Sequence, residues 1–337
     1  MSAIIRLFAG VGILAIACVG ILSYVLFTPH STDMNTFRFT VKQGDTIFYI
    51  ADGLADAGLI SSDLFFRLGW RVEGGGIIQE GTYTIPKSVS LHTLYRMFRS
   101  GPDRTEISIR IIEGWTTQQI AEYLAETRRT HDDDFLQAVK NDWKREYPFL
   151  PGLLAGNPLE GYLFPDTYRI FEDSSNEAII RKMLDNFSAK VTGDMRLEAK
   201  TQELSLHEIV ILASIIEREV TGKQERGMVS DIFRRRISIG MPLQADSTIN
   251  YVSGKKDAQA RYADLEIDSP YNTYKYRGLP PGPIANPGLE SLNAALHPIP
   301  NRYLYFLTSP DGKAHFSKTF DEHKEKKFKY LQQTRTR

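Results

Sequence analysis

Apolar and polar positions divide the chain into three kinds of stretch. Residues 7–27 are uncharged and almost wholly apolar, a length that as a helix covers the roughly 30 Å hydrocarbon core of a bilayer. Residues 37–41, Phe-Arg-Phe-Thr-Val, alternate as a strand. After a Gly44-Asp45-Thr46 turn, a helical pattern sets Ile47, Ile50, Ala51, Leu54 and Ala55 on one side. A second helix over 62–71 and a strand over 81–85 complete a β-α-α-β unit, and a third helix over 90–99 ends at Ser100-Gly101-Pro102, where we place a domain boundary.

The pattern then returns. Residues 107–111 read as a strand and 113–116 as a turn, and Ile120, Ala121, Leu124 and Ala125 repeat the offsets of Ile50, Ala51, Leu54 and Ala55. Thr116 and Gln119 form a capping box, and Asp133 and Phe135 match Asp63 and Phe65. The spacing predicts a duplicated supersecondary unit. Beyond it, 160–168 is a loop rich in aromatic and acidic groups, amphipathic helices fall over 176–191 and 228–237, and loops over 243–251 and 268–274. Residues 278–284 hold too much proline for helix or strand. A strand over 303–308, a Pro310-Asp311-Gly312 turn, a strand over 314–316 and a charged helix from Asp321 follow.

Residues 205–220 read as one helix. Ser205 and Glu208 make a capping box, and the run that follows leaves no polar face wide enough for a surface helix, so it is expected to be buried. Glu217 shares a face with Val210, Ala213, Ser214 and Val220. An acid on an apolar face holds its proton to higher pH and can deliver it, as a general acid must; the alternative is a buried structural carboxyl. Glu219 points elsewhere, with Lys223 one turn later, and reads as an exposed ion pair.

Composition narrows the classes. The 337 residues carry 41 basic and 41 acidic side chains, so a basic surplus for nucleic acid is absent. Arg6 precedes the 7–27 run and Asp33 is the first charge after it, which puts the N-terminus in the cytoplasm and the body outside. The run is too long for a signal peptide and stays apolar past Cys18, unlike a lipoprotein leader. Cys18 is the single cysteine, so the body has no disulfide. His207-Glu208 lacks the second histidine of a zinc-protease motif, since Ile211 stands there, and Gly74-Gly75-Gly76 lacks the Lys-Ser/Thr of a phosphate cradle. There is no nucleophile elbow, and no metal or cofactor is expected.

The 37–85 unit with its Gly-Asp-Thr turn resembles the LysM family of glycan-binding modules. Residues 160–168, 212–219, 241–251, 268–274 and 278–288 resemble, in order, the signature blocks of the YceG-like endolytic murein transglycosylases. Together these imply an α+β protein: cytoplasmic residues 1–6, a transmembrane helix over 7–27, a tether over 28–36, a LysM-like βααβ subdomain over 37–100, and an α+β catalytic domain over 101–337 holding a second LysM-like repeat. The resemblance implies cleavage of the β-1,4 bond between N-acetylmuramic acid and N-acetylglucosamine within nascent peptidoglycan strands, leaving 1,6-anhydro ends. Glu217 matches the catalytic acid. Glu160, Tyr162, Gln244, Asp246, Thr248, Tyr271, Asn272 and Tyr274 are the expected substrate contacts, with Asp246 the second acid should the chemistry be hydrolytic. The resemblance also implies a single-pass bacterial inner-membrane enzyme facing the wall and coupled to peptidoglycan synthases and division or elongation machinery. The alternatives are a muramidase-type hydrolase and an inactive wall-binding scaffold.

Overall fold

The computed structural model describes residues 20, 24, 26–42, 44–128, 132–151, 159–255 and 263–332. The expected 7–27 anchor lies almost entirely outside these residues, and among the described residues no helix is long and apolar enough to cross a membrane. The protein is mixed α+β and divides into two units, Met1–Thr105 and Glu106–Arg337, each with its own hydrophobic core.

In the first unit β1 (Thr36–Val41) pairs antiparallel with β2 (Gly81–Pro86), Phe37 opposite Ile85. Helices α1 (Ile47–Asp56) and α2 (Asp63–Val72) lie between them in sequence, and α3 (Leu91–Ser100) follows. Each helix starts at a hydroxyl residue, Thr46, Ser62 or Ser90, whose side chain accepts a first-turn N–H. Ile50, Ala51, Leu54, Phe66, Trp70, Tyr83, Ile85, Tyr95 and Phe98 fill the core.

The second unit opens in the same order: β3 (Glu106–Arg110), α4 (Thr117–Arg128), α5 (Asp132–Val139) and β4 (Thr167–Phe171), with β3 and β4 antiparallel. Thr116 and Gln119 exchange capping bonds of 3.2 and 3.0 Å. Ile120, Ala121 and Leu124 are buried as Ile50, Ala51 and Leu54 are. The expected match of Phe65 with Phe135 is off by one residue, since Phe65 is 48% exposed while Phe66 and Phe135 are buried. Phe66 and Phe135 are each the fourth residue of their helix, so helix phase, not the preceding aspartate, sets the correspondence.

Helices α6 (Asn176–Lys190), α7 (Gly193–Thr201), α8 (Leu206–Glu219), α9 (Lys223–Ser238), α10 (Asp246–Ser253) and α11 (Leu289–Leu296) build the rest, with a β5 (Tyr305–Thr308) and β6 (Ala314–Ser317) hairpin and an exposed α12 (Phe320–Lys327). Three differences from the sequence reading stand out. Residues 243–251, read as a loop, contain most of α10; this helix is short and has no side-chain N-cap to announce it. Helices α7 and α11 are also additions. Leu292, Ala295 and Leu296 of α11 are buried, and the helix packs against α8 directly after the proline-rich segment.

Candidate active site

Helix α8 is the axis of the second unit. Ser205 and Glu208 complete their capping box, and every residue from Ile209 to Ile216 is buried. Ser214, buried among them, donates to the Ile211 carbonyl at 2.7 Å and accepts the Ile284 N–H at 3.1 Å, which ties the proline-rich segment to the helix. Gly161 has φ of +88°, and a Cβ there would lie 2.6 Å from Pro283 and 2.7 Å from Val210. Only glycine permits that approach of the 160–164 loop to both.

Asn286, buried, joins three segments. Its Oδ1 accepts the Leu163 N–H at 2.9 Å, and its Nδ2 donates to the Trp115 carbonyl at 3.0 Å and to Glu160 Oε1 at 3.2 Å. Its backbone bonds Gly114 and Trp115 at 2.9 and 2.8 Å. The 113–117 turn, the 160–164 loop and the 284–288 segment are therefore one hydrogen-bonded frame at the side of α8.

Glu217 leaves the last turn of α8 into this frame. Its side chain is 6% exposed, and it is not surrounded by apolar groups alone, contrary to expectation. Arg226 Nη2, from the first turn of α9, donates to Oε1 at 2.8 Å, and the Gly288 N–H, at the N-cap of α11, donates to Oε2 at 3.0 Å. Arg226 Nη1 reaches Glu290 Oε2 at 2.7 Å. Glu113 is the fourth charged group here. Partial burial, then the charge of Glu217, push its pKa up, with Arg226 opposing.

Glu219 differs from its sequence reading. It forms no ion pair with Lys223; it is half-buried and accepts the Ser247 N–H, at the start of α10, at 3.2 Å. Burial pushes its pKa up to about 7, with the neighbouring Asp246 charge adding to the rise. Asp246 in turn accepts the Tyr274 hydroxyl at 2.5 Å.

The expected substrate contacts separate by exposure. Gln244 is exposed at a positive φ of 53°, and Asp246, Tyr271 and Tyr274 are half-buried, so all four have surface to offer. Tyr271 packs on Tyr251 with ring centroids 5.2 Å apart. Glu160, Tyr162, Thr248 and Asn272 are buried and hold partners within the protein instead. Glu160 accepts the Thr117 N–H at 3.1 Å and lies 3.5 Å from the Tyr251 hydroxyl; its burial raises its pKa to about 8. Tyr162 Oη lies 2.8 Å from His207 Nδ1. Thr248 shares a 2.9 Å bond with Thr273, and Asn272 donates to the Leu265 and Ile267 carbonyls at 2.9 and 2.7 Å. As substrate contacts these four would need the loops to open. Among the described residues there is no group of three or more acidic, histidine or cysteine side chains that could hold a metal ion.

Arg226, Gly288, Glu290 and Glu113 were not singled out in the sequence. The signal for Arg226 is the Val220-Thr221-Gly222 break, which reverses the chain and brings the first turn of α9 beside the last turn of α8.

An α+β protein whose buried helix ends in a carboxylate held by one arginine and one backbone amide is an arrangement suited to proton transfer. Residues 39–329 match the YceG-like family, and the chain belongs to that family. It is 37% identical over 311 residues to an endolytic murein transglycosylase of Bacillus subtilis, covering 88% of this chain and 85% of that one. It is 28% identical over 330 residues to an endolytic murein transglycosylase of Streptococcus pneumoniae, covering 89% of this chain and 60% of the longer relative. A crystal structure of a YceG-like protein from Listeria monocytogenes is similar in fold, with a TM-score of 0.61 and 32% identity over 87% of this chain and 99% of that one.

Proposed function

We propose that the chain is an endolytic murein transglycosylase, a lyase that cuts the β-1,4 bond between N-acetylmuramic acid and N-acetylglucosamine inside peptidoglycan strands without water. The observation that carries this reading is Glu217, a nearly buried carboxyl at the end of α8, oriented by Arg226 and the Gly288 N–H. Glu217 gives its proton to the glycosidic oxygen as the C1–O bond breaks. The resulting carboxylate keeps the same two donors, already in place, so little reorganisation accompanies the charge. It then takes the proton of the muramic acid C6 hydroxyl while that oxygen bonds to C1, which regenerates the acid and closes the 1,6-anhydro ring. Because the nucleophile is tethered, one carboxyl serves where glycosidases pair two, and tethering alone is worth roughly 7–11 kcal/mol. Gln244, Asp246, Tyr271 and Tyr274 are the groups with surface available for a sugar.

In the same reading residues 7–27 are a single-pass anchor, 37–100 a LysM-like glycan-binding subdomain, and 101–337 the catalytic domain, facing the wall side of a bacterial inner membrane beside the synthases of nascent strands. The uninterrupted uncharged run over 7–27, with Arg6 before it and Asp33 the first charge after it, supports the anchor, and the strand-helix-helix-strand order of the first unit supports the subdomain. The test is digestion of purified murein by the wild type and by Glu217→Gln, followed by mass spectrometry. Anhydro ends that disappear in the variant, with a loss of roughly 10²–10⁴-fold in rate, support the proposal. Products heavier by one water identify a hydrolase, and glycan binding with no released fragment identifies a scaffold.

A further inference from the structure

Three carboxyls gather around Arg226. Glu217 uses both oxygens, on Arg226 and on the Gly288 N–H, and Glu290 takes the other guanidinium nitrogen. Glu113 makes no hydrogen bond or ion pair among the described residues, although the 113–117 turn that carries it is fixed by Asn286. A hydrogen-bonded frame that aims an unpaired carboxyl at a charged site calls for an explanation other than packing.

Gly288 supplies one. Its φ of −76° and ψ of 171° suit any residue, and as the N-cap of α11 it stands where Ser, Thr, Asp or Asn would cap better. A Cβ at 288, however, would lie 1.9 Å from Glu113 Oε1. The glycine leaves room for the Glu113 carboxyl to lie on the same residue whose N–H holds Glu217. On the other side of the frame, a Cβ at Gly114 would be 3.5 Å from Glu217 Cγ, so the turn that carries Glu113 passes close to the Glu217 side chain.

We propose that Glu113 is a positioning residue that acts through Glu217: its negative charge, held against Gly288, opposes Arg226 and keeps the Glu217 carboxyl able to take up and return a proton at neutral pH. This rests on the acid–base reading of Glu217. The charged groups facing Glu113 are Glu217 from α8, Arg226 from α9 and Glu290 from α11, while Arg218 of α8 is turned to the Gly114 carbonyl at 3.1 Å. Burial and then repulsion from Glu217 push the pKa of Glu113 up, with Arg226 opposing. Removing the Glu113 charge leaves Glu290 alone to offset Arg226, which favours loss of the catalytic proton at lower pH.

The experiment is the pH–rate profile of murein digestion by the full-length chain, for wild type, Glu113→Gln, Gly288→Ala, the double variant and Glu217→Gln. Glu113→Gln removes the charge in place. Gly288→Ala keeps the charge but pushes it away, and the fold tolerates it because the methyl meets only the tip of a flexible, exposed side chain. Each single variant is expected to move the alkaline limb of kcat down by on the order of one pH unit, with KM unchanged, a modest shift because Glu113 is solvent-exposed and its charge is partly screened. The double variant should move it no further. Profiles that superimpose on the wild type, or a change in KM alone, overturn the proposal while Glu217→Gln remains inactive. Full activity of Glu217→Gln would instead remove the acid–base reading on which it rests.

Discussion

Arg226 and Glu217 are joined by a 2.8 Å hydrogen bond in which both side chains are under one-tenth exposed. Neither group was chosen by the packing of α8 alone: the arginine comes from the next helix, and its second nitrogen is committed to Glu290, whose side chain is 53% exposed. Charges taken this far out of water are tolerated because each is matched, and the match is lost if one partner goes.

Arg226→Ala therefore leaves Glu217 buried and unpaired. It should cost about 3–5 kcal/mol of unfolding free energy, read as a lower urea midpoint at unchanged slope, together with most of the activity. Arg226→Lys keeps the charge but not the fork that spans two carboxylates. A smaller stability loss with activity still depressed is the expected outcome; wild-type turnover in the lysine variant would show that the fork is dispensable.

Glu160 makes a prediction about pH. Its carboxyl is 4% exposed, and burial raises its pKa from an ordinary 4.5 to about 8. Between those values the folded protein holds a proton that the unfolded chain releases, so the stability this group contributes is full below pH 4.5 and declines as pH rises toward 8. Glu160→Gln resembles the protonated form and retains an oxygen for the Thr117 N–H. Its stability should fall less steeply over that window than the wild type, as followed by denaturation at several pH values. A parallel decline in both proteins would mean that Glu160 is ionised in the folded state.

What was legible in the sequence follows from the range of the forces involved. The capping boxes at Ser205 and Thr116, the buried face of α8 and the paired offsets of Ile50 and Ile120 are local patterns of period 3.6, and they stand in the structure as read. Glu219 was misread because an i, i+4 lysine is visible in the sequence while Ser247, which binds it, is brought in from across the fold. Arg226 was invisible for the same reason, and Gly288, though inside the recognised 278–288 block, gave no sign that its N–H would hold Glu217. Asn286 lay within a recognised block, but its role as the joint of three segments depends on contacts more than a hundred residues away in sequence, at Leu163 and Trp115.

Ser214 tests how firmly the proline-rich segment must be held. Its hydroxyl is the acceptor for the Ile284 N–H, and both residues are buried. Ser214→Ala removes the acceptor and strands that donor, at a cost of about 1–3 kcal/mol. Since Gly288 is four residues along the same segment, activity should fall as well, with faster hydrogen exchange at Ile284 than elsewhere on the segment. An unchanged melting curve would indicate that another acceptor takes over.

The two carboxyls at the end of α8 give the sharpest contrast. Glu217 points to the Arg226 frame and Glu219 to the start of α10, where it accepts the Ser247 N–H and lies near Asp246. With a pKa raised to about 7, Glu219 exchanges its proton in the range where a general acid would work, so titration alone would nominate it as the acid. In the proposed reading Glu217 is the acid and Glu219, which accepts the Ser247 N–H, is a latch between α8 and α10. Glu219→Gln keeps an oxygen for the Ser247 N–H and should retain turnover within several-fold of the wild type, whereas Glu217→Gln should lose roughly 10²–10⁴-fold. Comparable losses in both variants, with both proteins folded by circular dichroism, would assign the proton transfer to the pair and displace Glu217 as the sole acid.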